Sequence, residues 1–84
     1  MEGRIVCSRA GRDRGKWMVI VGEEGKSLLV CDGKERPLAR PKRKNPKHVA
    51  VTNTRLEKNR YLTDKALRRE LALYRDTAPE EEEP

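Results

Sequence analysis

Phenylalanine is absent, and Trp17, Tyr61 and Tyr74 are the only aromatic residues. Apolar residues make up 35 % of the 84-residue chain and charged ones 40 %, enough for one small core and little more. Enclosing a metabolite would empty such a core, so neither a small-molecule substrate nor a small-molecule enzyme is expected. No apolar run approaches the roughly 20 residues of a membrane span, and the opening MEGRIV lacks the charged and apolar regions of a signal peptide. With only Cys7, Cys31 and one histidine, His48, no four-ligand zinc site can be assembled. Both cysteines lie inside apolar runs and read as free, partly buried thiols in a reducing cytoplasm. No nucleophile, metal set or acid–base pair stands out, so neither catalysis nor a cofactor is expected.

Positive charge is what the chain has in excess. The formal charge is +6, but four of the fourteen acids, Glu80 to Glu83, lie at the very end. The rest holds twenty bases against ten acids, a balance of +10. Clustered bases at that density point to a polyanionic partner, nucleic acid ahead of an anionic membrane surface.

Short apolar runs set the coarse architecture. RIVCS at 4–8 and WMVIV at 17–21 suit strands, the second buried on most sides. Gly22 to Gly25 reads as a hairpin loop leading to SLLVC at 27–31. Asp32-Gly33 is a two-residue turn signal, because glycine takes the positive φ such a turn needs. PLAR at 37–40 is expected to pair back as an edge strand blunted by Pro37 and Pro41, and KHVAV at 47–51 to form the fifth strand. Five short strands with tight turns fit a small, partly open barrel over residues 1–52.

Residues 53–62 read as a polar linker, and a helix is expected over 63–76. Thr63 can cap its first turn, Leu62 and Leu67 have the spacing of a hydrophobic staple, and Asp64 can pair with Arg68. Leu67, Leu71 and Tyr74 share one face. So short a helix needs a dock: the barrel is the default, a ribosomal protein or RNA the alternative. The acidic stretch at 77–84 is expected to be disordered, serving solubility or lying loosely over the basic face.

Two basic clusters bear on function. In SRAGRDRGKW, Gly11 and Gly15 allow positive φ and a close approach of the backbone to a phosphate. Arg9, Arg12, Arg14 and Lys16 project from the same short arc, and Asp13 can brace it through a backbone amide two residues on. The second cluster, KERPLARPKRKNPKH at 34–48, has seven bases and the single acid Glu35. Pro41 and Pro46 are expected to hold Lys42, Arg43, Lys44 and Lys47 extended, with Arg40 just before them, as a row matched to a phosphate backbone. A nuclear-localisation patch is the competing use of the same residues. Trp17, next to the first cluster, either stacks on an unpaired base or closes one end of the barrel. His48 and Tyr61 are ambiguous in the same way.

GRIVCSRAGRDRGKWMVIV resembles a KOW motif, a strand–loop–strand unit of SH3-like barrels in ribosomal proteins and transcription elongation factors. Gly11 stands at its first glycine, and Arg14 and Gly15 at its basic residue and second glycine. GRIV, the CDG turn, KRKNPKHV and TDKALRREL extend the likeness over about residues 3 to 75, to the archaeal and eukaryotic large-subunit ribosomal protein fourteen family and its small bacterial relatives. The resemblance implies a mainly β protein, an SH3-like five-stranded barrel with a C-terminal α-helix. It implies a grip on structured RNA, ribosomal RNA first, through Arg9, Arg12, Arg14 and Lys16 in the loop and Lys42, Arg43, Lys44 and Lys47 beyond it. The acidic end lies outside the family pattern, and Arg14 stands where lysine is common. A protein-interaction module that docks on ribosomal or transcription proteins is the alternative.

Overall fold

The first strands are apolar at nearly every position, so a sheet built from them needs cover on both faces. The computed structural model, which describes residues 1–77, provides it. Strands β1 (Arg4–Ser8), β2 (Trp17–Glu24), β3 (Ser27–Cys31), β4 (Lys42–Lys44) and β5 (Val49–Arg55) form one open antiparallel sheet in the order β4-β3-β2-β1-β5. Helix α1 (Asp64–Thr77) follows. None of the described helices is long and apolar enough to cross a membrane.

Alternation along the strands sorts the core into two halves. Ile5, Val19 and Cys31 face the helix and meet Tyr61, Leu67, Leu71 and Tyr74. Val6, Met18, Ile20, Leu28, Val30 and Val49 cluster on the opposite face. That second face is closed by curling of the sheet. A flat sheet would hold β4 and β1 about 14 Å apart, yet Lys44 in β4 reaches Ala10 and Asp13, just beyond β1. Register shifts at Arg4/Val6 and Ile20/Gly22 mark irregularities of the kind that add bend and twist.

Several expected boundaries move. β2 runs on to Glu24, which pairs with Ser27, so the hairpin turn is Gly25-Lys26 and not Gly22 to Gly25. The edge strand expected at 37–40 does not form. There the Asp32 carboxylate accepts the amides of Lys34 (2.8 Å) and Arg36 (2.9 Å), and the Arg40 amide turns back to the Pro37 carbonyl. The fourth strand is instead Lys42–Lys44, with Leu28 opposite Lys44 and Val30 opposite Lys42. β5 begins at Val49, two residues late, and extends to Arg55, taking in the first residues of the expected linker. At the bulge the Thr52 hydroxyl donates to the Ile5 carbonyl at 2.8 Å.

The helix starts as expected, with Thr63 Oγ1 accepting the Ala66 amide. Leu62, however, is 67 % exposed, so no staple to Leu67 buries it. Asp64 and Arg68 also turn away from each other. Asp64 accepts the Leu38 amide at 2.7 Å and Arg68 donates to the Gly33 carbonyl at 2.6 Å, pinning the helix to the β3–β4 connection. Gly33 has φ +80°, and a Cβ there would lie 2.5 Å from the Asp64 carbonyl, so only glycine permits this approach. Leu67, Leu71 and Tyr74 are buried in the chain's own core, which removes them as a docking face for a ribosomal protein. The acidic stretch from residue 78 onward lies outside the described residues.

Candidate nucleic-acid interface

The loop between β1 and β2 is built around one carboxylate. Asp13 is only 9 % exposed although it sits in a basic loop. Its Oδ1 accepts the Ser8 hydroxyl at 2.7 Å and Lys44 Nζ at 2.8 Å, and its Oδ2 accepts Lys42 Nζ at 3.0 Å. Lys44 Nζ donates to the Ala10 carbonyl as well, at 2.8 Å. Burial alone would raise the Asp13 pKa. The hydrogen bonds from Lys44, Ser8 and Lys42, together with the Lys44 charge, outweigh burial and hold it well below the carboxylate range. Asp13 thus braces the loop through lysines some thirty residues away, and not through a backbone amide two residues on.

Both glycines of the loop have positive φ, +84° at Gly11 and +87° at Gly15. Their amides differ in use. Gly15 N–H donates to the Ser8 carbonyl at 2.8 Å, so this glycine closes the loop and has no amide left for an anion. Among the described residues the Gly11 amide has no partner.

The two basic clusters meet on one side of the fold, as the Asp13–Lys42 and Asp13–Lys44 pairs require. The Arg9 amide also donates to the His48 carbonyl at 2.8 Å, which brings the short 3-10 segment Pro46–His48 against the loop. The row of bases expected over 42–47 is not a row. Strand alternation turns Lys42 and Lys44 inward to Asp13 and Arg43 outward, where it pairs with Glu24 at 3.0 Å. Lys44 is 7 % exposed and closed to a phosphate. Lys42 is partly exposed but already paired, and Lys16 pairs with Glu35. Of the bases expected at the interface, Arg9, Arg12, Arg14, Arg40 and Lys47 are exposed and without an acidic partner among the described residues.

Trp17 is partly buried, packing edge-to-face on Tyr74 with ring centroids 5.3 Å apart, while its remaining surface lines a groove against the helix. A second cavity, about 410 Å³, lies beside the loop, lined by Arg12, Lys16, Arg36 and Lys42 and by the acids Asp13, Asp32 and Glu35. Arg36 and Lys34, which belong to the second basic cluster, line these hollows as well; their place follows from the Asp32 turn, whose carboxylate fixes their amides. The burial of Asp13 left no local signal, since its partners come from a distant strand. In sequence comparison the chain matches no known protein family and no curated protein.

Proposed function

We propose that the protein binds structured RNA, ribosomal RNA first, by gripping phosphates with the β1–β2 loop, in the manner of an SH3-like KOW barrel. The observation that carries this is the loop itself. Three arginines, Arg9, Arg12 and Arg14, stand exposed and unpaired by any described acid on an arc fixed by two positive-φ glycines and a buried Asp13, with Lys47 alongside. Arginine forks onto phosphate oxygens, and a pre-shaped loop loses less conformational entropy on binding than a floppy one. The barrel assignment is supported by the curl of the sheet and by β5 returning beside β1.

Few groups are aimed at base edges, so recognition follows backbone and shape. A cytoplasmic location fits this role, and the two free, buried cysteines suit a reducing compartment. The test is binding to a structured RNA across a salt series. Arg9, Arg12, Arg14 and Lys47 neutralise about four phosphates, giving a log–log slope of about −3 to −4. A slope near zero would remove the electrostatic grip.

A further inference from the structure

Between α1, the start of β2 and the turn after β3 lies a groove of about 420 Å³. Its floor is apolar, made by Trp17, Leu71 and Ala72. Its rim is basic: Lys16, Lys34, Arg68 and Arg75, against two acids, Asp32 and Glu35. Both acids are engaged already, Asp32 by the amides of Lys34 and Arg36 and Glu35 by Lys16, which that pair occupies in turn, while Arg75 pairs with Asp76 at 3.8 Å. Lys34 has no ion-pair partner among the described residues, and Arg68 has further donors beyond the one held by Gly33. An apolar floor inside a net positive rim fits a ring that carries an anionic group.

We propose that this groove holds one unpaired nucleotide, its base on the floor at Trp17 and its phosphate between Lys34 and Arg68. The inference rests on the RNA-binding proposal and deepens it: the loop grips paired backbone while the groove beside it takes a base that has left the helix. The volume sits at the low end for ligand pockets, enough for one nucleotide. A base held within a duplex has both faces stacked and cannot reach Trp17; an extruded one can. The loop and the groove share Gly15 and Lys16, so one RNA can occupy both.

Trp17 is the sole tryptophan, so its emission reports this groove. The experiment compares a blunt RNA duplex with the same duplex carrying one bulged nucleotide. The bulged RNA is expected to bind about tenfold tighter, within the range of a single base–aromatic stack, and to quench Trp17. Ala72→Gln, a helix-compatible change on the groove floor, is expected to abolish both effects while leaving blunt-duplex affinity within about twofold, with folding checked by circular dichroism. Equal binding of the two RNAs with unmoved Trp17 emission overturns the groove and leaves the loop proposal standing. Should neither RNA bind at low salt, the loop proposal fails, and AMP and UMP decide the groove. Saturable quenching by either, lost in Ala72→Gln, would assign the groove to a free nucleotide; no quenching overturns it.

Discussion

Replacing Asp13 with Asn removes one charge from the centre of the loop and leaves the buried Lys44 ammonium without its carboxylate counter-charge. Lys44 is buried, and among the described residues its other acceptor is the Ala10 carbonyl. Breaking a buried pair from one side costs about 3–5 kcal/mol. Asparagine keeps an oxygen for the Ser8 hydroxyl, which places the loss at the lower end, about 3 kcal/mol. A domain of this size holds about 4 to 13 kcal/mol in total, so the variant should remain folded at low temperature but melt at least about 12 °C early. Lys44→Met keeps the aliphatic stem and leaves Asp13 with Lys42 and Ser8, a loss of about 1 kcal/mol. The double variant should be more stable than Asp13→Asn alone, because the stranded ammonium is gone. Urea melts followed by Trp17 emission and circular dichroism measure all three. A cost below about 0.5 kcal/mol for Asp13→Asn, or no recovery in the double variant, would refute the view that this carboxylate holds the loop together. The pH dependence has a fixed sign. A carboxyl held below its ordinary value of 3.8 stabilises the fold fully above that value and loses its contribution as pH falls from there to its lowered folded value, so the parent should lose stability in acid more steeply than Asp13→Asn.

Further outcomes are expected elsewhere in the molecule. Gly33→Ala forces a Cβ against the Asp64 carbonyl at a positive φ, and should cost at least about 1 kcal/mol in the same melts while shifting Trp17 emission as the helix lifts. Burial, reinforced by the Asp64 and Asp32 charges, raises the Cys31 pKa to about 11; a thiol reagent at pH 8 should label it only in urea. Removing residues 78–84 takes away four glutamates and moves the formal charge from +6 to +10, so RNA affinity at low salt should rise and the difference should vanish at high salt.

The strands that could be read from sequence were those whose own residues dictate burial. RIVCS and SLLVC have the observed limits because every second residue goes to each half of a two-sided core. β4 escaped notice because KRK looks like a solvated charge run. It is a strand because β3 offers an edge and Asp13 neutralises its inward lysines, and both partners are distant in sequence. The same long-range pairing explains why the basic arm was legible as a cluster but not in its orientation. Local turn chemistry was legible only in part: Gly11, Gly15 and Gly33 take the positive φ expected of them, but Asp32-Gly33 opens a connection running to Pro41 and not a two-residue hairpin turn, and the β2–β3 turn is Gly25-Lys26. The helix cap at Thr63 was legible too, whereas Asp64 and Arg68 found stronger partners across the fold than along the helix.

The proposed contact is that of one arginine-bearing loop with the phosphates. It is tested most directly by replacing Arg9, Arg12 and Arg14 with alanine together and repeating the salt series on one structured RNA. These side chains are exposed and hold no described acid, so the melt should barely change while affinity drops and the slope flattens by about 2 to 3. Unchanged affinity and slope in a fully folded variant would contradict the account.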